Sequence, residues 1–380
     1  MPVSSPVGFV SPGKAENMPT AEELISVASI QRLAVILRAV APQESEWAAV
    51  RASADALGPL GLSDRARTVR DALLQDLPGG YERLAPVVRE ALGRSDLTGW
   101  MVWPVTEAVA ATATGPHFED GLGLLAALTP RLTGEFALRT FLVNDLDRTL
   151  AIALTWTGNP DEAVRRLASE GTRPKLPWAR QVPRLNETPG VTVPILDRLY
   201  RDPSEVVRRS VANHLNDISR LDPRAAVATA SRWAGDAAPA LIRHSMRTLI
   251  KKGDPAALAL VGFRGERDAL AVTGPTVRTP EVVLGGDLVF EARIENVSRE
   301  PVTLAIDYVI NHLKADGRPA PRVFKLVKRT LEAGEGHDVV RRHAFRPITT
   351  RRYYSGPHSV ELQINGYRFG QGEFTLDATQ

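Results

Sequence analysis

Hydrophobic residues in the first two thirds of the chain recur every three or four positions, as at Leu122, Leu125 and Leu128. This spacing puts them on one face of an α-helix, so the segment from Ala21 to about Arg264 is predicted to be helical. Glycine and proline interrupt the pattern at intervals of ordinary helix length. The interruptions are Gly58-Pro59, Pro78-Gly79-Gly80, Gly158-Asn159-Pro160, Pro203, Pro223 and Gly253-Asp254-Pro255.

A near-repeat lies within the helical segment. Residues 160–170, PDEAVRRLASE, return as residues 203–213, PSEVVRRSVAN, at a spacing of 43. A weaker third copy, IRHSM at 242–246, matches VRRSV at 207–211 at a spacing of 35. Periods of this length are typical of two-helix HEAT-type units, which need about three stacked copies. The sequence therefore predicts a HEAT-like α-helical solenoid.

The period changes after Gly265. Hydrophobic and polar residues then alternate, as at Leu288, Phe290, Ala292 and Ile294, which is the pattern of a half-buried strand. The same alternation runs through 302–308 and 360–364, and turn residues stand at Gly285-Gly286, Asn296-Val297-Ser298, Asp316-Gly317 and Asn365-Gly366. Short strands over about 100 residues predict an immunoglobulin-like β-sandwich.

We therefore expect a multidomain chain, α and then β. The predicted parts are a flexible segment at 1–20, a HEAT-like domain at 21–268 and a β-sandwich at 269–380. The first 20 residues lack the basic start and apolar run of a secretory signal. No stretch approaches the roughly 20 apolar residues of a bilayer span. A soluble, cytoplasmic protein is the simplest interpretation.

Composition removes several kinds of chemistry. The chain has 380 residues and no cysteine, which excludes disulfides, thiolate zinc sites and a cysteine nucleophile. Its 7 histidines form no HExxH motif, and neither GxxxxGK[ST] nor a strand-to-helix GxGxxG is present. We therefore expect no metal and no cofactor.

The net charge of +3 hides an uneven distribution. Residues 1–159 hold 13 Lys and Arg against 18 Asp and Glu, whereas residues 160–260 hold 17 against 11. Residues 314–352 hold 11 against 4. Two basic regions suggest a polyanionic partner that touches both, although solvated surface in an arginine-rich protein explains the composition equally well.

Helical spacing places the charged residues of the repeat on common faces. Arg166 and Glu170 lie four apart, and Arg209, Asn213 and Asp217 mark successive turns of the equivalent face. A third basic stripe is predicted from Arg243, Arg247 and Lys251, and such stripes suit contacts with phosphate.

Each candidate also has a purely structural interpretation. Glu170 four residues after an arginine suits a surface ion pair, and Asp217 suits a cap near the end of its helix. Trp178, in the segment RPKLPW at 173–178, suits a hydrophobic plug of an interhelical loop. Taken alone, the residues leave these alternatives open.

Three segments resemble the signature segments of the AlkC family of alkylpurine DNA glycosylases. They are TGEFALRTFL at 133–142, RRLASEGTRPKLPW at 165–178 and SVANHLNDI at 210–218. Residues 244–253, HSMRTLIKKG, resemble the family's closing segment, and the strand-rich tail resembles the immunoglobulin-like domain of one branch. The likeness runs from about Ala21 to the end and is weakest in the first 100 residues.

This resemblance implies a glycosylase of base excision repair that releases cationic alkylated bases, chiefly 3-methyladenine, without base flipping and hence without a deep base pocket. It implies that Glu135 and Asp217 stabilise the cationic sugar and handle water, that Trp178 faces the sugar or base, and that Arg166 and Glu170 complete the site. We expect DNA contacts from Arg165, Arg173, Lys175, Arg208, Arg209, Asn213, Arg243, Arg247, Lys251, Lys252, Lys325, Lys328, Arg351 and Arg352.

The expected ligand is double-stranded DNA containing alkylated bases, bound by a monomer with no obligate protein partner and no membrane. One alternative keeps the fold and drops the catalysis. HEAT-type solenoids are often protein scaffolds, so a non-enzymatic DNA-binding or scaffold module remains open.

Overall fold

The chain changes from helices to strands between Leu260 and Leu270. A computed structural model describes residues 19–43, 46–263, 267–347 and 352–379. Within them, helices run from Ala21 to Leu260 and strands from Leu270 to Asp377, so the predicted order of helical repeats and then β-strands is confirmed. The predicted flexible lead lies almost wholly outside the described residues.

The described residues form 17 α-helices and eight strands. The helices are α1 Ala21–Leu24, α2 Val27–Val40, α3 Ala48–Ser53, α4 Leu62–Asp76, α5 Tyr81–Leu92, α6 Val102–Thr112, α7 Phe118–Leu128, α8 Glu135–Asn144, α9 Leu146–Trp156, α10 Glu162–Glu170, α11 Pro183–Glu187, α12 Val193–Leu199, α13 Glu205–Leu221, α14 Pro223–Trp233, α15 Pro239–Ser245, α16 Arg247–Lys252 and α17 Pro255–Leu260. The strands are β1 Leu270–Val277, β2 Glu281–Val283, β3 Asp287–Asn296, β4 Val302–Leu313, β5 Pro319–Leu331, β6 Gly336–Ala344, β7 Gly356–Ile364 and β8 Tyr367–Asp377.

The chain divides into two compact units, Met1–Leu185 and Asn186–Gln380. In the first unit α4 packs on α6 and α6 on α8, while α5, α7 and α9 pack beside one another as a second layer. This two-layer arrangement is that of HEAT-like repeats. The second unit holds the last helices together with the strands, so the division by packing differs from the predicted domain boundary at 268, which stays a prediction.

Equivalent residues of the two main repeat copies make the same contacts. Arg165 donates through Nη1 to the carbonyls of Asn159 and Pro160 at 2.9 Å each. Arg208, its counterpart 43 residues later, donates to the carbonyls of Asp202 and Pro203 at 2.6 and 2.8 Å. The first arginine of each Arg-Arg pair thus ties the start of its helix to the preceding turn, which confirms the repeat in three dimensions.

The third copy differs from the other two because its helix is broken. The helix α15 ends at Ser245, and α16 begins at Arg247. The groups freed by the break are bonded: Asn216 Oδ1 accepts from the Thr248 N–H at 3.1 Å, and the His244 carbonyl accepts from Arg247 Nη1 at 2.9 Å. Arg243 and Arg247 thus lie on two successive helices rather than on one, and the basic stripe that they form with Lys251 stays a prediction.

Two antiparallel-rich sheets form the C-terminal part. In the described residues one sheet has the order β1-β3-β6, and the other β2-β8-β7-β4-β5. The predicted alternation is confirmed, because Leu288, Phe290 and Ile294 are fully buried between the sheets. The strand-rich tail therefore adopts the predicted immunoglobulin-like sandwich.

The strand β4 is buried on both faces, which one-sided alternation does not predict. Its second face includes Asp307 and Val309. Within this unit the turn after α16 lies against the turn between β7 and β8: a Cβ on Gly366 would stand 2.1 Å from the carbonyl oxygen of Gly253. Both glycines have positive φ, of 87° and 77°. Only glycine fits this close approach without strain.

No helix in the described part of the chain has the length and apolar character needed to cross a bilayer.

Candidate active site

Glu135 is a buried carboxylate at the first residue of α8. Its residue surface is only 4% exposed. The Thr133 hydroxyl donates to Oε2 at 3.0 Å, and the position in the first turn places the carboxylate at the positive end of the helix. A short threonine-glycine turn therefore fixes the first of the predicted catalytic residues.

Arg166 connects Glu135 to a second buried carboxylate. Its Nη1 donates to Glu135 Oε2 at 3.0 Å, and its Nη2 lies 4.0 Å from Glu170 Oε1. Glu170 also receives a hydrogen bond from Arg173 Nη1 at 2.5 Å. The interpretation of Glu170 as a solvent-exposed surface pair is wrong, since only 9% of its side chain is exposed.

Glu135 and Arg166 have shifted pKa values. Burial raises the pKa of the Glu135 carboxyl, the charge of Arg166 opposes this rise, and the charge of Glu170 adds to it. Burial lowers the pKa of Arg166, but the two carboxylates outweigh it and hold that pKa above its ordinary value. The cluster of Glu135, Arg166, Glu170 and Arg173, which we call the carboxylate cluster, balances two acids against two guanidinium groups.

Trp178 stands exposed on the loop after α10. More than half of its surface, 55%, is accessible to solvent, whereas the preceding Leu176 is buried to 3%. The interpretation of Trp178 as a loop plug is therefore wrong, and Leu176 fills that role. Trp178 also has a φ of 61°, a left-handed conformation that is uncommon for a large side chain and that marks functional sites.

Arg139 forms hydrogen bonds to the backbone of the loop that carries Trp178. It is fully buried on α8 and donates to three backbone carbonyls: Gly171 at 3.2 Å, Arg173 at 2.7 Å and Arg180 at 2.9 Å. Burial and the charge of Arg173 lower the pKa of Arg139 to about 10. The three bonds bracket the segment that carries Trp178, so Arg139 determines where this segment sits.

A cavity of about 250 Å³ opens beside Trp178 in the first unit. Trp103, Phe136 and Trp178 line it. The rings of Trp103 and Phe136 stack on each other, with 4.3 Å between their centroids. Glu107 lies in the same wall and accepts from Trp103 Nε1 at 3.1 Å. The expectation that the lesion stays stacked and enters no deep base pocket stays a prediction.

Asp217 lies in the second unit, inside α13, with 2% of its surface exposed. The helix continues to Leu221, so the interpretation of Asp217 as a helix-end cap is wrong. The residue that caps the following helix is Asp222, which accepts from the Ala225 N–H. The convergence of Asp217 with the carboxylate cluster stays a prediction.

The other predicted residues of the repeats fall into two groups. Arg165, Arg173, Arg208, Arg247 and Asn213 make contacts within the protein; Asn213 Oδ1, for example, accepts from His244 Nε2 at 2.9 Å and from Arg247 Nη2 at 3.2 Å. The exposed group comprises Lys175, Arg209, Arg243, Lys251 and Lys252. Within this group Arg209 pairs with Glu205 at an exposed site, and the role of all five residues in binding DNA stays a prediction.

Two of the predicted basic residues of the tail, Lys325 and Lys328, lie on β5. Lys325 Nζ pairs with Asp307 at 2.7 Å and lies 3.5 Å from the carbonyl of Ile250, next to Lys251 in the chain. Lys328 stands over the ring of Phe263 at 5.1 Å. Arg352 stands over Tyr354 at 5.5 Å, and Arg351 lies outside the described residues. Lys325 thus brings the basic face of β5 to the basic end of α16.

Several residues of the site were given no role from the sequence. Thr133 and Arg139 lie inside a signature segment but bond through the fold, and Trp103 and Glu107 lie in the region where the resemblance is weakest. The four-residue spacing of Trp103 and Glu107 indicates that the two side chains share a helix face, and this was the sequence signal for their contact. Across the described residues, no group of three or more His, Asp or Glu is arranged to hold a metal ion.

Comparison with known proteins identifies relatives of this chain in sequence and in fold. A family model described as the C-terminal Ig-like domain of uncharacterised protein YhaZ matches residues 271–378. The uncharacterized protein YhaZ of Bacillus subtilis (strain 168) is 35% identical over 309 residues, which cover 81% of this chain and 85% of the relative.

A solved structure matches over almost the whole chain. It is the Pseudomonas fluorescens alkylpurine DNA glycosylase AlkC bound to DNA containing an abasic site analog. The match has a TM-score of 0.80 at 32% identity and covers 95% of this chain and 100% of the other. The chain therefore belongs to the AlkC family of alkylpurine DNA glycosylases, on the YhaZ branch with a C-terminal immunoglobulin-like domain.

Proposed function

We propose that this chain is a DNA glycosylase that hydrolyses the N-glycosidic bond of cationic alkylated bases, chiefly 3-methyladenine, in double-stranded DNA. The observation that carries the proposal is the pair of buried carboxylates, Glu135 and Glu170, held on Arg166. The relative from Pseudomonas fluorescens is bound to DNA with an abasic site analog, which supports DNA as the ligand.

The chemistry of a methylated purine suits such a site. A base methylated at a ring nitrogen carries a positive charge, and it leaves as a neutral base when it takes the electron pair of the C1′–N bond. No strong general acid is needed. The enzyme must instead stabilise the electron-poor sugar, and carboxylates do this for the similar oxocarbenium-like sugar of glycoside hydrolysis.

We assign the roles as follows. The carboxyl groups of Glu135 and Asp217 stabilise the sugar cation, and one of them accepts the proton of the water that attacks C1′, leaving an abasic site. Trp178 presents its exposed ring to the sugar or the cationic base, an attraction of the cation–π kind. Arg166 pairs with Glu135 and Arg173 with Glu170, so each buried carboxylate has a guanidinium partner that orients it.

The lesion stays stacked in the duplex under this proposal, and the carboxylates reach the sugar from outside. Selectivity then comes from the positive charge of the lesion rather than from a pocket around it. Release of a neutral base such as uracil at a rate comparable to that of 3-methyladenine contradicts this part of the proposal.

Basic residues hold the DNA. Lys251, Lys252, Lys325 and Lys328 lie at the junction of α16 and β5, so we assign the last repeat and the tail a common DNA-binding face. We propose a glycosylase domain at 21–268 and an immunoglobulin-like domain at 269–380. The whole chain acts as a monomer without an obligate protein partner. An enzyme that repairs chromosomal DNA works in the cytoplasm of a bacterium, where that DNA lies.

The test is release of bases from methylated duplex DNA, separated by chromatography. Wild type is compared with Glu135→Gln and Asp217→Asn, and with Glu90→Gln, an exposed glutamate on α5, as the matched control. We expect wild type and Glu90→Gln to release 3-methyladenine and both active-site variants to lose release while still binding the duplex. Absence of release by wild type that nevertheless binds DNA contradicts the proposal and favours the non-enzymatic module.

A further inference from the structure

The cavity beside Trp178 has an aromatic wall and a basic rim. The wall is formed by Trp103 and Phe136, which are buried and stacked on each other, and by Trp178, whose ring is exposed. The rim is formed by Arg67 and Arg70 of α4 with Arg180. Flat aromatic surface next to guanidinium groups is the combination that proteins use for single nucleotides, since bases stack on the rings and phosphate pairs with arginine. Its volume of about 250 Å³ can hold one base but not a duplex step.

The rim is available to an anion. Arg67 pairs with Asp64 and Arg70 with Asp71, and in both pairs the acid is more than half exposed. Surface pairs of this kind contribute little, so a phosphate can replace the acid at little cost. Glu107 is the acid inside the cavity. Burial raises the pKa of its carboxyl, and the hydrogen bond from Trp103 and the charges of Arg70 and Arg67 oppose this rise.

Glu107 supplies a hydrogen-bonding group beside the aromatic wall. One oxygen, Oε1, accepts from Trp103 Nε1 at 3.1 Å, which orients the carboxyl group at the edge of the aromatic wall. A carboxylate accepts hydrogen bonds and donates none. It therefore favours a base with an exocyclic amino group, such as cytosine or adenine, over one that presents only a carbonyl at the same position.

We infer that this cavity is a second nucleotide site, which takes one unstacked nucleotide of the bound DNA other than the lesion, with its amino group on Glu107 and its phosphate on Arg67 and Arg70. The inference rests on the proposed function in taking DNA as the ligand. The cavity shares no residue with the carboxylate cluster, and among the catalytic residues assigned above it shares only Trp178.

The test uses two duplexes that differ in one base. One carries a single unpaired dC and the other a single unpaired dU at the same place. Cytosine offers a 4-amino donor beside an unprotonated N3, whereas uracil offers only an N3–H that is flanked by two carbonyls, which a carboxylate disfavours. We expect wild type to bind the dC duplex about fivefold more tightly or better, as for one base-edge hydrogen bond. Fluorescence anisotropy of labelled duplexes measures both affinities, and the free nucleotides dCMP and dUMP are titrated by saturation-transfer NMR on their H5 and H6 protons.

Variants locate the preference. Glu107→Gln keeps an acceptor for Trp103 but adds a donor, so it is expected to bind both duplexes equally. Arg67→Ala and Arg70→Ala are expected to weaken both duplexes about fivefold while keeping the preference. Arg51→Ala removes an exposed arginine of α3 and is the control. Melting curves check that each variant is folded, and Arg67, which is exposed, remains testable if Glu107→Gln is unstable.

Equal affinity of wild type for the two duplexes overturns the inference. So does a dC preference that survives Glu107→Gln, since the cavity then does not read the base. A preference for dCMP over dUMP without one between duplexes identifies a free nucleotide as the ligand and overturns the assignment to DNA. Base release by wild type is measured separately. A preference for dC without base release supports the nucleotide site in the cavity and contradicts the proposed glycosylase function.

Discussion

Arg166 Nη1 lies 3.0 Å from Glu135 Oε2, although the two residues are 31 positions apart in the sequence. The same guanidinium lies within reach of Glu170. One cation therefore lies between two buried acids. Its loss leaves Glu135 without its guanidinium partner beside the charge of Glu170, which keeps Arg173.

Arg166→Gln is expected to lower the free energy of unfolding by about 3 kcal/mol, the lower end for breaking a buried pair, since a fifth of the side chain is exposed. Arg209→Gln is the matched control, because Arg209 occupies the equivalent position of the second copy and pairs with Glu205 at an exposed site. It should cost about 0.5 kcal/mol or less. Urea denaturation measures both, and equal losses for the two variants contradict the assignment of Arg166 to the centre of the cluster.

As the pH is lowered, the rate of base release should begin to fall at a higher pH than is usual for an enzyme that depends on an exposed glutamate. Burial raises the pKa of Glu135, so this carboxyl takes up a proton at a higher pH than an exposed glutamate does. A sugar cation needs the ionised form, and activity is therefore lost as the pH falls through that raised value. Single-turnover rates across pH, corrected for spontaneous base loss, measure the effect. An acid limb in the usual range of exposed glutamates speaks against Glu135 as the stabilising group.

The architecture could be predicted from the sequence because it rests on periodicity. The Arg-Arg repeat and the alternation at Leu288 and Phe290 each follow from one local spacing. The contacts of the site could not be predicted, since Arg166 meets Glu135 only through tertiary packing. The break after Ser245 was also missed, because the groups that satisfy it, such as Asn216, lie about 30 residues away.

Exposure was the other quantity that the sequence could not supply. Trp178 and Leu176 are both apolar and two positions apart, and nothing in their spacing says which is buried. The answer depends on how Arg139 holds the loop backbone from α8. Local pattern thus predicts the elements of this chain, and distant hydrogen bonds determine which side chains the loops present.

Arg139→Met is expected to lower the rate of base release at least tenfold, about 1.4 kcal/mol in the barrier, because the loop bearing Trp178 loses three hydrogen bonds. Arg139→Lys keeps the charge but not the fork of donors, so it should restore little. The control is Arg94→Met, at an exposed arginine paired with Asp96.

The readouts of the Arg139 variants are the maximal rate, KM and amide hydrogen exchange at residues 171–180. A positioning role predicts faster exchange in this segment and a lower maximal rate. Unchanged exchange in the segment, together with a normal rate, shows that the three bonds are dispensable.

Gly366→Ala should separate the turn between β7 and β8 from the end of α16. An added Cβ would stand 2.1 Å from the Gly253 carbonyl oxygen at a φ of 87°, so both strain and overlap oppose it. The expected cost is about 2 kcal/mol or more in the free energy of unfolding. Gly58→Ala is the control, since a Cβ there meets nothing within 4 Å, and it should be neutral or stabilising by up to about 1 kcal/mol. Similar melting temperatures for the two variants contradict a tight junction.

The β-sandwich should lose stability in mild acid through His358. This side chain is 4% exposed, its Nδ1 accepts from the Leu313 N–H at 3.3 Å, and its Nε2 bonds the Tyr354 carbonyl at 3.0 Å. Both bonds suit the neutral ring, and burial lowers the pKa of His358.

The unfolded chain therefore binds a proton at a higher pH than the folded chain does. The stability from His358 is fully present above the unfolded value, about 6.5, and falls as the pH drops towards the lowered folded value, by at most about 1.4 kcal/mol per pH unit for one proton. Amide exchange of β7 and β8 between pH 7.5 and 5.5, corrected for intrinsic exchange rates, reports this loss. His358→Gln should flatten the dependence and His117→Gln, in the first unit, should leave it unchanged; an equally steep dependence in His358→Gln places the titrating group elsewhere in the sandwich.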